Sequence, residues 1–344
     1  MTDEEAFEEA LCRHGDLAKL DSYPPDFSTG LREQLNFYRL AAPHVYCNFL
    51  NNTDFNAVAT AHRDREFIGI YLGAIMLIAR YAYCLLSDPE VLPQIGNVSL
   101  ESIEPSVVEA LRAPLKPAPS GRYLPRDPTR LRAAQHIAMC AYMILYFHEL
   151  GHIELCHLKF LRDHLGVTEY KELGYAPLSE QDALLLRTLE WDADNSGLLT
   201  SLRMWRSFCS NLDYSAISAL GPPRSWFLSA QLLFWVMDFV QPRNRRNRFA
   251  THPSPEARLV NARLVATNFG FVPELLEGGT AEDSLIPWIM RNKFPSQIVD
   301  DAADPGGADV VGNELKEVQA NYRTMMDGLE AYQKLRRKTM AVDF

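Results

Sequence analysis

The chain has no C-x-x-C pair, no apolar run at its start, no excess of positive charge and no uninterrupted apolar stretch of bilayer length. Each absence removes a class of protein. Six scattered cysteines (Cys12, Cys47, Cys84, Cys140, Cys156 and Cys209) do not form a disulfide framework, so reduced thiols in a cytoplasmic protein are expected. The opening Met1-Thr2-Asp3-Glu4-Glu5 is acidic, unlike a secretory leader. With 34 basic against 44 acidic residues the formal net charge is −10, which argues against sequence-independent nucleic-acid binding.

The membrane question turns on residues 67–86, which approach the ~20 residues a spanning helix needs. That segment contains Arg80, Tyr71, Tyr81 and Tyr83, and it begins with the β-like run Phe67-Ile68-Gly69-Ile70-Tyr71. A strand running into a buried helix is expected there, and no membrane span. Residues 226–240 are shorter and include Gln231 and Asp238, as a core helix would.

What is present is an ordinary globular composition: 344 residues, 47% hydrophobic and 23% charged, enough for one large or two modest domains. At its centre stands Phe147-His148-Glu149-Leu150-Gly151-His152-Ile153, of the form H-E-x-x-H. On a helix, positions four apart share a face, so His148 and His152 can present ring nitrogens to one metal ion. Glu149 is placed to reach a metal-bound water and act as base, which is the arrangement of a zinc hydrolase. Asp127 as N-cap and Pro128 in the first turn open the helix, which is expected to run to Leu165 with Gly166 past its end. Ile137, Ala141, Ile144, His148, His152 and Leu155 follow one face as a buried stripe. His136, His157 and His164 fall off that stripe or beyond the motif, and are expected to be structural or exposed.

A capping-box pattern, Ser179-Glu180-Gln181-Asp182, opens a second long helix reaching about Cys209. Within it Glu190 and Asp194 share a face, and Ala193 and Gly197 are small enough to permit close helix approach. Such a carboxylate pair is either a solvated acidic face or part of a metal site. Beside H-E-x-x-H the second reading is preferred: Glu190 as third zinc ligand and Asp194 orienting an imidazole. Further on, Thr251-His252-Pro253-Ser254-Pro255 implies a turn and a helix start, with Arg258 in its first or second turn. His252 on that loop is a structural residue or a donor to an oxyanion.

Elsewhere the signals are weaker. The segment 54–61, the turn His62-Arg63-Asp64-Arg65 and the segment 66–71 read as a β-hairpin that covers the core or offers an edge to an extended peptide. A helix should follow from Leu72 to Leu86. Five prolines between residues 112 and 128 mark a loop or boundary, and residues 168–177 look like loop. Arg243, Arg245, Arg246 and Arg248 form a basic run that reads as an exposed loop. The tail 313–337 reads as a charged amphipathic helix. These signals divide the chain into residues 1–125 with the edge hairpin at about 54–71, a zinc-binding region 126–270 and a helical tail 271–344. The predicted fold class is α+β, predominantly helical, with a small antiparallel sheet beside two long helices.

Four pieces in order resemble the gluzincin metallopeptidases, and among them the minigluzincin-like HtpX and CAAX prenyl protease group. They are Asn56-Ala57-Val58-Ala59 with the following strand, His148-Glu149-Leu150-Gly151-His152-Ile153, Glu190-x-x-x-Asp194, and Thr251-His252-Pro253 with Arg258. The family's Gly-Gly hairpin turn is replaced here by His62-Arg63-Asp64-Arg65. The multiple membrane helices of many members are not evident, which points to a soluble relative in the direction of the Lit-type peptidases, with the branches left undivided. The resemblance implies a zincin-like core and one Zn²⁺ held by His148, His152 and Glu190. It also implies Glu149 as base, His252 as a catalytic donor, Asp194 and Arg258 supporting the ligands, and a protein or peptide substrate. Two other classes stay open: a zinc-holding interaction module without proteolysis, and a nucleic-acid-associated protein using the arginine run.

Overall fold

The computed structural model describes residues 2–102, 123–166, 169–171, 179–211, 218, 220–240, 250–268 and 307–340. The fold is α+β and predominantly helical. Helices α1 (Asp3–Leu11) and α2 (Pro25–Ala41) precede strands β1 (Val45–Leu50), β2 (Ala57–His62) and β3 (Arg65–Tyr71). The long helices α3 (Leu72–Ser87) and α4 (Pro128–Glu154) follow, then the short α5 (His157–Leu165) and β4 (Glu169–Lys171). The remainder comprises α6 (Glu180–Asn211), α7 (Gly221–Val240), α8 (Pro255–Asn268) and α9 (Gly307–Met340).

The strands form one sheet in the order β1-β3-β2-β4. Alternation sorts its side chains cleanly. Ala57, Ala59, Ile68 and Ile70 join the main core, whereas Val58, Phe67 and Tyr71 pack with Ala6, Phe7 and Leu11 of α1 on the opposite face. The expected hairpin is present, with β2 antiparallel to β3. Its loop is only Arg63-Asp64, at φ 49° and 62°, the two left-handed residues that match the twist of a two-residue hairpin. Two expectations about the sheet are corrected. It is mixed, because β1 runs parallel to β3 and β2 returns between them in the chain. The hairpin also does not offer β2 as an edge, since Val58, Ala59 and Thr60 pair with Lys171, Tyr170 and Glu169 of β4. That three-residue strand lies within what reads as loop, too short for its alternation to register.

Residues 67–86 are a strand leading into a buried helix, and no helix among the described residues is long and apolar enough to cross a membrane. Asp127 caps α4 as expected, accepting from the backbone N–H groups of Thr129 and Arg130 at 2.9 Å each. The stripe expected of α4 is buried from Ile137 to His152, but over residues 143–153 burial extends all round the helix. That part lies between α3, α6, α7 and the sheet and has no solvent face to make polar, whereas Arg132 and Gln135 nearer the start are exposed. The predicted continuation to Leu165 is interrupted. Cys156 adopts φ 63°, α4 ends, and α5 leaves in a new direction before Gly166 closes it with φ 67°.

Arg130 anchors the start of α4. It is fully buried and donates to five carbonyls: Leu86, Asp88, Val91, Leu92 and Ile95, at 2.7–3.0 Å. One hydrophobic cluster joins residues from Leu31 on α2 to Leu329 on α9. The tail helix therefore packs into the core, spanning the expected amphipathic segment and beyond. Most of the proline-rich stretch, the arginine run and the glycine-rich turns after residue 270 lie outside the described residues.

Candidate metal centre

The site is made where α4 and α6 cross. Side chains four apart on α4 place the His148 and His152 rings 4.8 Å apart by centroid, with their Nε2 atoms 3.0 Å from each other. The approach of α6 depends on glycine. A Cβ on Gly197 would lie 2.7 Å from the His148 backbone nitrogen and 2.8 Å from its Cα. A Cβ on Gly151 would come 3.1 Å from the Ala193 carbonyl oxygen. Close contact here lets the short Glu190 side chain reach both histidines, with Oε2 3.3 Å from His148 Nε2 and Oε1 3.7 Å from His152 Nε2. His148, His152 and Glu190 each offer one ligand atom, all within 4.8 Å of one another, and all three residues are buried.

The surrounding hydrogen bonds assign the ring tautomers. Asp194 accepts from Arg258 Nε at 2.8 Å and Nη2 at 2.6 Å, so its carboxylate faces His148 Nδ1, 2.9 Å away, as an acceptor. His148 Nδ1 therefore carries the proton, and its Nε2 directs a lone pair toward Glu190. On the other ring, His152 Nδ1 is 3.0 Å from His157 Nδ1, and His157 Nε2 is 3.2 Å from Asp192 Oδ2. The Asp192 carboxylate accepts from His157 Nε2–H. In a neutral ring this leaves His157 Nδ1 as acceptor, so His152 Nδ1 is the donor and its Nε2 also holds a lone pair. Two imidazole lone pairs and a carboxylate thus converge, 3.0–3.7 Å apart, away from water. Three acceptors so placed repel one another unless a positive charge sits among them. Two nitrogens and a carboxylate oxygen are a donor set suited to a divalent metal ion, and this group could hold one.

A proton can supply that charge when no metal does. Burial alone would push the Glu190 carboxyl up, yet the charges of His252 and then His148 hold it well below the usual carboxylate range. A metal ion held there would therefore compete with protons for the same atoms.

The other expected residues are also gathered here. His252 is buried, with Nε2 3.1 Å from Glu190 Oε1 and Nδ1 2.9 Å from the Thr251 hydroxyl. The loop carrying it is fixed by Ser254, whose N–H and hydroxyl donate to Glu314 of α9 at 3.0 and 2.7 Å. Arg258 stacks its guanidinium 4.4 Å from the Phe234 ring centroid. Glu149 is fully buried near β1: burial foremost, and then the charge of Glu149, push the Cys47 thiol up against the opposing pull of Arg39.

Compared with known protein families, with characterised proteins and with solved structures, the chain finds no match. Its site is accordingly read from its own residues.

Of the two readings left to His157, structural or exposed, the structure gives the first: it is fully buried against His152. On an unbroken helix a spacing of five would set the two residues ~140° apart. The left-handed turn at Cys156 brings them together, and no residue pattern announces it, since cysteine rarely adopts that conformation. His164 does sit on the surface, bonded through Nδ1 to the Phe160 carbonyl.

Proposed function

We propose that this chain is a zinc-dependent metallopeptidase of the gluzincin kind, acting on a protein or peptide substrate. The observation that carries the reading is the buried convergence of His148 Nε2, His152 Nε2 and the Glu190 carboxylate, with each ring's Nδ1 engaged by a buried neighbour. The order H-E-x-x-H, then E-x-x-x-D, then T-H-P and Arg258 agrees with it.

In this reading His148, His152 and Glu190 hold the ion. Zinc, when bound, polarises a carbonyl and brings the pKa of its water to about 7. Glu149, next to His148 and shielded from solvent, takes the proton from the attacking water and passes it to the leaving amine. His252 supplies a donor at the edge of the cluster, turned to Glu190 in the resting chain and available to charge developing on the substrate oxygen. Asp194 and Arg258 keep the His148 ring in place.

The test is metal content and peptide cleavage on three proteins. Wild type should retain about one zinc per chain and cleave a peptide library, with cleavage abolished by a chelator. Glu190→Ala should lose the zinc. Glu149→Gln should keep the zinc and lose turnover by about 10²–10⁴-fold. Turnover retained in Glu149→Gln removes that residue from the mechanism. Zinc bound without cleavage of any library member would instead make the chain a metal-holding interaction module.

A further inference from the structure

We propose that His157 is a positioning residue for His152, the middle link of a buried chain Asp192–His157–His152, backed by the half-buried Tyr322, that holds the ligand ring in its metal-binding tautomer. The proposal rests on the metal-centre reading above and adds to it residues from two further helices.

The two ligand histidines are oriented in different ways. His148 meets the Asp194 carboxylate directly at 2.9 Å. His152 is held at its Nδ1 by a different group. It meets a second imidazole there, His157 Nδ1 at 3.0 Å, and that imidazole meets Asp192 at 3.2 Å. Both carboxylates come from α6. Asp194 lies one turn past Glu190 on the face toward α4, and Asp192 lies ~200° round the helix from Glu190. Only the break at Cys156 makes the second route possible, because it carries His157 back beside His152 from the start of α5.

The chemistry follows from the partners. Asp192 draws the His157 proton to Nε2, which makes His157 Nδ1 the stronger acceptor. That acceptor holds the His152 proton on Nδ1 and raises the basicity of His152 Nε2, the atom offered to the metal. His157 is fully buried, as is His152, so water does not compete for either ring nitrogen. The chain continues outward to α9, where Tyr322 lies close enough to Asp192 that, after burial, the carboxylate's charge pushes its phenol up. One residue earlier, Asn321 donates to Thr188 of α6 at 2.8 Å. The C-terminal helix thereby holds the segment of α6 that carries Glu190, Asp192 and Asp194.

The test measures zinc affinity by chelator competition on the full chain, together with melting of each metal-free protein. The variants are His157→Gln, His157→Leu and Tyr322→Phe. A glutamine can accept from His152 through its oxygen and donate to Asp192 through its nitrogen, whereas leucine can do neither. His157→Leu should weaken zinc binding by about 10–100-fold, and His157→Gln should recover most of that loss. Tyr322→Phe should weaken it less, because the His157–Asp192 contact survives. Nitrogen NMR of the zinc-loaded wild type should show His157 protonated on Nε2 and His152 on Nδ1, a readout that needs no variant to fold. Unchanged zinc affinity in His157→Leu, or a His157 proton on Nδ1, overturns the proposal and leaves the metal centre standing. A wild type that retains no zinc overturns both.

Discussion

Gly197 is the residue whose smallness the site depends on most. Its missing Cβ would fall 2.7 Å from the backbone nitrogen of His148, and backbone cannot swing aside as the end of a flexible side chain can. Gly197→Ala should therefore displace α6 from α4, costing about 1–3 kcal/mol of stability and, on the proposed function, weakening zinc binding as well. Melting temperature and retained zinc after dialysis check both effects. A variant that melts and binds like wild type would show that the crossing has slack. Glu190 and Asp194 were readable in the sequence because their spacing puts them on one face. Asp192, between them, gives no such signal: its role depends on α5 and α9, which approach from another side.

At the scale of the element, helix starts were legible and helix directions were not. Asp127 and Pro128 mark the beginning of α4 by chemistry that acts within a few residues, as does Ser179, which accepts from the Asp182 N–H at 3.0 Å at the start of α6. The break at Cys156 has no comparable local cause. The anchoring of α4 by Arg130 is equally silent in the sequence, because its five carbonyl partners come from the end of α3 and the turn after it. Replacing it with an apolar side chain of similar length, Arg130→Met, leaves those buried carbonyls without their donor. Each loss costs on the order of 1 kcal/mol or more, so the variant should be destabilised by at least about 3 kcal/mol in chemical denaturation. A loss below about 1 kcal/mol would mean that water enters and replaces the guanidinium.

At the scale of the molecule, the six cysteines are all free thiols, and only Cys12 is exposed. A thiol reagent at neutral pH should label Cys12 in the folded chain and all six in denaturant. Burial also ties these thiols to stability. It pushes Cys84 up to about 12, against the pull of Arg80, and pushes Cys47 and Cys140 up as well. A group whose pKa is raised by folding contributes stability that is complete below its unfolded value, about 8.5 for a thiol, and is lost as pH climbs toward the folded value. Above about pH 9 the chain should lose up to about 1.4 kcal/mol per buried thiol per pH unit. Urea midpoints between about pH 7.5 and 10 measure this. A flat profile would show that the thiols are not held in the folded core.

By itself the sequence determined the candidate ligands His148, His152 and Glu190, the caps of α4 and α6, and the hairpin. These depend on spacing along one element or on side chains bonding to neighbouring backbone. It also pointed correctly to a predominantly helical α+β fold, and among the described residues no helix is long and apolar enough to cross a membrane. Only the tertiary structure decided that the sheet is mixed and that β4 covers β2, because strand neighbours are chosen across the fold. It alone decided that His157 stands behind His152. The physical reason is the same in each case: pairing between distant segments depends on where the chain turns, and the turn at Cys156 is imposed by packing on a residue that would not choose it.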